Sequence, residues 1–457
     1  MNTKNIIEGN PTKKFFIEMI TRDISIEDAI IDLLDNSIDG ANRINSENHT
    51  GLGIDITINE SEFKIIDNCG GFSLETAQKY AFRFGRPNEA PNDKNSIGRF
   101  GIGMKRSLFK IGKKFSVETQ YQTNEHFKIE VDVDSWSKQS KKVVTEDGIE
   151  TDIDDWNFSY QMLTDNMDFD GTIITISDLN IEVRDLFSND TFLNSLYDNI
   201  RKLLNYSLLK GLNIALNGKL LNGNPIEMLI SNNWKPFYTE GNIDNVKYRI
   251  VAGLGDIGRP KDSGWYIYCN NRLVVEADTS NITGWGSYPI PQWHINYVMF
   301  RGLLFLDSEE TLKLPLTTTK KGIDATSEIY KTLLPIMKNA MVDILIFLRN
   351  VAKMGNEANN YRQMLCETSN KLSSVEIKNY NFSDHVINTF VAPELNIDVI
   401  SEKRQNVRIA YDVKKDIANY VKDYLNVKSY KDVGDYTFNY YVKMEGIRNE
   451  ESDNSEL

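Results

Sequence analysis

Within the first 180 residues, four short segments place acids, amides and glycines at spacings that leave few folds open. They are Asp32-Leu-Leu-Asp-Asn36-Ser37-Ile-Asp39, Asp67-Asn-Cys69-Gly70-Gly71, Gly98-Arg-Phe-Gly101-Ile102-Gly103-Met-Lys105 and Gly171-Thr172. The first reads as a helix. Ser25 followed by Asp28 is a capping-box start, and Ile24 is placed to staple onto the first turn. Ile26, Ala29, Ile30, Leu33, Leu34, Ile38 and Ala41 form an apolar stripe near the helical period. Asp32, Asn36 and Asp39, at i, i+4 and i+7, share one face. A carboxylate one turn from a carboxamide suits a base that orients water beside a hard oxygen ligand for magnesium. Standing alone, the same face would read as solvated acidic surface.

The second segment follows alternating Leu52, Ile54, Ile56 and Ile58, a turn at Asn59 to Glu62, and a returning strand from Phe63 to Ile66 that delivers Asp67 at its end. A carboxylate beside a glycine pair can accept a hydrogen bond from an adenine amino group; the plainer reading is a polar turn. In the third segment, three glycines precede the apolar run Met104 to Ile111, which can start a helix. Such a loop presents N–H groups to phosphate oxygens at a helix N-terminus, and Lys105 adds a point charge. The glycine spacing is not that of a Rossmann fingerprint. Arg83 to Asn95 has the composition of a mobile loop able to close over a ligand.

Jointly these segments resemble the GHKL ATPases, the superfamily of gyrase B subunits, large heat-shock chaperones, sensor histidine kinases and MutL. The stretch Ile97 to Ser107 is most similar to the MORC and MutL branches. The resemblance spans about the first 180 residues and implies a Bergerat α/β two-layer sandwich with ATP and Mg2+ as cofactors. By that likeness Asp32 stands for the family's water-activating Glu, Asn36 for the magnesium ligand, and Asp67 for the adenine-reading acid. Gly98, Gly101 and Gly103 stand for the lid glycines, and Thr172 for the fourth motif that completes the adenine pocket. Asp39, Gly71, Ile102 and Lys105 are assigned to the same nucleotide site. Two departures matter. Asp32 is one methylene shorter than Glu, setting its carboxylate back by roughly 1 Å, a misplacement that can cost on the order of a hundredfold in rate. Cys69 stands where the family often has glycine and is expected to crowd the adenine edge. The expectation is therefore a slow ATPase, with a non-hydrolysing nucleotide-gated scaffold or chaperone-like adaptor as the alternative.

Beyond residue 180 the pattern changes. A helix is expected over Phe192 to Leu208. Strands are expected at 212–216 and 219–221 around an Asn217-Gly218 turn, and again at 247–252, 265–269, 272–275 and 303–306. This reads as an α+β second domain over 181–325. It resembles the transducer that follows the ATP site in MutL, MORC and type II topoisomerases. Leu314 to Lys321 looks like the transducer loop that carries a lysine to the terminal phosphate; Lys320 is assigned that catalytic role, with Lys321 beside it. Residues 326–457 are expected to form a small C-terminal α+β and helical region. It comprises a long helix over 325–354, a linker over 356–381, a strand at 407–411 and a helix over 414–425. An aromatic run at Tyr436 to Tyr441 follows, read as core packing or a partner surface, and then an acidic disordered tail.

The 457 residues allow two to three domains, 1–180 being the first. A net charge of −13 argues against broad attraction to nucleic acid, though Lys105, Arg106, Lys110, Lys113 and Lys114 form a local basic cluster. Cys69, Cys269 and Cys366 give neither a disulfide framework nor metal spacing. No signal peptide or membrane-length apolar run appears, so a cytoplasmic location is expected. What the family resemblance implies is a homodimer that closes on Mg-ATP and acts with a separate effector or nuclease, or on DNA, in bacterial genome maintenance or phage defence.

Overall fold

The computed structural model describes residues 9, 11–85, 101–144, 148, 150–257, 259–317, 322–382, 388–394, 409 and 411–445. Gly98, Lys320, Lys321, most of the expected mobile loop and most of the 407–411 strand lie outside the described residues. The chain divides into two compact units, residues 1–395 and 396–457.

The first unit opens with helix α1 (Lys13–Arg22), capped by Thr12, and α2 (Ile26–Ile44), capped by Ser25. The Ser25 hydroxyl accepts from the Asp28 N–H at 3.1 Å and donates to its carboxylate at 2.7 Å. Ile30, Leu33, Leu34 and Ala41 are fully buried, joining α2 to the core of the first hairpin. That hairpin is β1 (Gly53–Ile58) and β2 (Glu62–Asp67), as the alternation predicts. Its turn is tied by Asn59, whose Oδ1 accepts from the N–H groups of Ser61 and Glu62 at 2.9 Å each.

There follow α3 (Leu74–Thr76), α4 (Gly103–Ile111), β3 (Gly112–Tyr121), β4 (Glu125–Asp132), α5 (Val133–Ser137), a separate hairpin of β5 (Ser140–Val144) and β6 (Glu150–Asp154), β7 (Tyr160–Met162) and β8 (Gly171–Leu179). Next come α6 (Ile181–Phe187), α7 (Asp190–Leu203), α8 (Asn205–Leu209), β9 (Asn213–Leu216) and β10 (Lys219–Leu220). The eight-stranded sheet runs β10-β9-β1-β2-β8-β3-β4-β7. Every neighbouring pair is antiparallel except β1 with β9. A large mixed sheet with helices over it is the α/β architecture expected of the N-terminal region.

Two details differ from the sequence pattern. The helix expected over 192–208 breaks at Leu204, giving α7 and α8. The Asn217-Gly218 hairpin forms, with φ of 48° and 75° as a type I′ turn requires, but its strands join the first sheet. Asn217 locks it there: its Oδ1 accepts from the Ile58 N–H at 2.8 Å and its Nδ2 donates to the Ile58 carbonyl at 3.1 Å.

The rest of the unit is α+β. It contains β11 (Glu227–Ile230), β12 (Phe237–Ile243), β13 (Val246–Leu254), β14 (Gly264–Cys269), β15 (Arg272–Asp278), β16 (Phe300–Asp307), α9 (Glu328–Ala352), α10 (Ala358–Glu367), β17 (Asn370–Ser373) and α11 (Ser374–Asn379). Its five-stranded sheet runs β12-β13-β16-β14-β15. One core joins Ile250, Trp265 and Leu304 to Leu333, Met337 and Met341 of α9; another joins Tyr268 and Phe305 to Tyr206, Met228 and Ile377. The expected linker over 356–381 is instead folded. Its few apolar residues are spaced to one face, so Tyr361 and Leu365 bury together while β17 pairs with β11.

In the second unit, α12 (Lys415–Tyr424) and α13 (Tyr430–Met444) are joined by a 2.7 Å hydrogen bond from the Tyr430 hydroxyl to Asn419. The aromatic run lies on α13, where Tyr436, Phe438, Tyr440 and Tyr441 are exposed rather than core. Among the described residues, no helix is long and apolar enough to cross a membrane.

Candidate functional site

β2 ends at Asp67, opposite Thr172 on β8. The Asp67 carboxylate is 4% exposed; Oδ2 accepts from the Ser37 hydroxyl at 2.6 Å and Oδ1 from the Cys69 N–H at 3.0 Å. Burial pushes this carboxyl up, while hydrogen bonds from Ser37, Cys69 and Thr172 and the charge of Arg43 oppose that rise. Ser37 belongs to the first motif, next to Asn36, yet its role as the hydroxyl that orients Asp67 emerges only in three dimensions.

Glycines set how closely the surrounding backbones approach. A Cβ at Gly40 would stand 2.5 Å from the Cys69 carbonyl, so α2 packs directly on the turn after Asp67. Gly71 has φ +58°, and a Cβ there would fall 2.2 Å from the Gln120 carbonyl; at Gly171 it would fall 1.9 Å from the Asp67 carbonyl. The ends of β2, β3 and β8 therefore meet closely, with no room for a side chain at Gly71 or Gly171. Thr119 on β3 spans the junction. Its hydroxyl donates to Gly171 O at 3.0 Å and accepts from the Phe72 N–H at 3.3 Å, with Thr172 Oγ1 at 3.3 Å. Arg43, from the last turn of α2, donates to Gly71 O at 3.2 Å. Cys69 is buried with its Sγ 3.9 Å from Gly53 O, and burial together with Asp67 pushes its thiol well above the ordinary value. A protonated thiol there is neither nucleophile nor metal ligand.

One turn earlier on α2, Asp32 is 5% exposed and meets Arg106 of α4. Arg106 donates from Nε at 3.1 Å and from Nη2 at 2.5 Å, both to Asp32 Oδ2. Asn36 is exposed, and its Nδ2 donates to the Asp32 backbone carbonyl at 3.0 Å, so its nitrogen rather than its oxygen is engaged. Asp39 is buried further along the helix. Gly101, at φ +64°, turns the chain into α4, whose N-cap Ile102 offers no side-chain cap to the first N–H groups. A Cβ at Gly103 would lie 3.4 Å from Asp32 Oδ2, so the start of α4 abuts this carboxylate.

Lys105 departs from expectation. It is 1% exposed, and its ammonium donates to Ala81 O at 2.8 Å and to Gly101 O instead of facing outward as a phosphate charge. Burial pulls it down to about 7. Its position on the inner side of α4 makes it a tie between the glycine turn and the segment after α3. Asp35, in contrast, leads away from the site to a partner that no sequence spacing reveals: a buried ion pair with Arg272 on β15 of the second sheet. Asp35 is 1% and Arg272 4% exposed.

The structure thus gathers Asp32 with Gly103, and Asp67 with Thr172, Gly71 and Gly171, along one helix and one sheet end. Two cavities of about 300 and 590 Å³ share none of Asp32, Asn36, Asp67 or Thr172. The first N–H groups of α4, which the Ile102 side chain does not cap, favour an anion, the Asn36 oxygen is a hard ligand suited to magnesium, and Asp67 is an oriented acceptor. Residues 24–160 match the family model described as histidine kinase-, DNA gyrase B- and HSP90-like ATPase, leaving β8 with Thr172, β9, β10, the second sheet and the C-terminal unit outside the match. No curated protein matches the chain.

Proposed function

We propose that this chain, whose residues 24–160 form a domain of the GHKL ATPase family, binds Mg-ATP at the end of its first sheet and works as an ATP-gated, homodimeric switch. The observation that carries the reading is Asp67. An acid held by Ser37 and by the Cys69 N–H, at a sheet end closed by Gly71 and Gly171, has the fixed orientation that reading an adenine amino group demands. In this reading Thr172 and Thr119 complete the base pocket, and the first turn of α4 faces the phosphates. Asn36 holds magnesium, which neutralises phosphate charge. Asp32 orients the attacking water, and Lys320 is assigned to the terminal phosphate by the family likeness.

Coupling follows from α2 itself. It carries Asp32 and Asn36 on one side and Asp35 on another, and Asp35 is tied to Arg272 of the second sheet. A shift of α2 on nucleotide binding would therefore be felt in the transducer-like domain, biasing a two-state arrangement that a separate effector reads. A second reading, a switch that binds without turnover, is favoured by the short Asp32 side chain and its engagement by Arg106. Phosphate release by wild type, Asp32→Ala and Asp32→Glu separates the two. Hydrolysis predicts slow wild-type turnover, lost in Asp32→Ala with ATP still bound, and raised in Asp32→Glu. Unchanged turnover in Asp32→Ala would remove Asp32 from the base role.

A further inference from the structure

We infer that Arg106 is a latch that holds the Asp32 carboxylate until a terminal phosphate takes its place. The inference rests on the Mg-ATP reading above. Arg106 stands at the end of the first turn of α4, directly after the glycine turn Gly101 to Gly103 and first N–H groups that the Ile102 side chain does not cap. Its Nε and Nη2 both converge on one oxygen of Asp32, at 3.1 and 2.5 Å. The pair is well shielded, with side-chain exposures of 17% for Arg106 and 5% for Asp32. Oδ2 so held gives its lone pairs to a guanidinium and not to a water molecule.

The same guanidinium is the side chain best shaped for a phosphate. It presents planar paired donors, and a dianionic phosphate group attracts it more strongly than a single carboxylate does. Asp32 Oδ2 is in reach of the Gly103 backbone, so a phosphate seated on the start of α4 arrives beside this ion pair. Arg106 then turns from Asp32 to the phosphate. That single exchange supplies charge to the nucleotide and frees Oδ2 to accept a proton from water. Because the exchange needs the terminal phosphate, ADP leaves the latch shut.

The test is calorimetric titration of the full chain, in magnesium, with ADP and with a non-hydrolysable ATP analogue. Arg106→Ala is expected to keep ADP affinity within about twofold while weakening the analogue about tenfold, the scale of one lost charge-assisted interaction. Retained ADP binding shows that the variant is folded. Arg106→Lys, which keeps the charge but not the fork, falls between. Asp32→Asn, which removes the competing carboxylate charge, tightens the analogue relative to ADP. An unchanged analogue-to-ADP ratio in Arg106→Ala, with both nucleotides bound, overturns the latch and leaves the nucleotide site standing. Failure of the wild-type chain to bind either nucleotide overturns both.

Discussion

At the scale of single residues, Asp67 and Asn36 carry distinct burdens. Asn36→Ala is expected to abolish the magnesium dependence of nucleotide binding while leaving the fold intact, since the residue is exposed and its side-chain hydrogen bond to Asp32 O stays within its own helix turn. Binding measured with and without excess chelator checks this. Lys105 gives a pH signature. Its folded-state pKa is lowered by burial to about 7, whereas the unfolded chain holds the proton to near 10.5. Between those values the unfolded state binds more protons, so stability attributable to this group rises with pH across that window. Lys105→Met is expected to flatten that rise in urea titrations made from pH 7 to 10. A slope identical to wild type would show that the ammonium does not titrate in this window.

At the scale of elements, the parts with one clean period were legible and the parts built by pairing were not. The stripe along Ile30, Leu33 and Leu34 and the hairpin ending at Asp67 were readable because helix and strand periods are local properties. The partners that orient the site residues were hidden for the opposite reason. Thr119, Arg106 and Arg272 lie 52, 74 and 237 residues from the groups they hold. The folded stretch over 358–379 was missed because its apolar residues are sparse though correctly spaced. The Asp35–Arg272 pair joins α2 to the second sheet and is the element-level feature most open to test. Arg272→Ala is expected to destabilise by about 3–5 kcal/mol, by removing the buried counter-charge of Asp35. Asp35→Leu combined with Arg272→Met should lose much less, because both charges leave together. Chemical denaturation of these two variants checks the pair; equal losses would make it a packing contact.

At the scale of the molecule, the proposed switch assigns sensing to the domain over residues 24–160 and coupling to the second sheet. α13 carries Tyr436, Phe438, Tyr440 and Tyr441 as exposed side chains. ATP-driven closure predicts a shift from monomer toward dimer in light scattering when a non-hydrolysable analogue and magnesium are added, with no shift for ADP. An unaltered mass with the analogue bound would retain the site and discard the dimeric switch.

The whole account stands on an adenine ring being read by Asp67, and isothermal titration with Mg-ATP analogue tests this most directly. Wild type is expected to take up one nucleotide per chain, and Asp67→Asn, which puts a donor where the amino group needs an acceptor, to lose most of that affinity. Absence of uptake by the wild-type chain, or uptake that Asp67→Asn leaves intact, would contradict it.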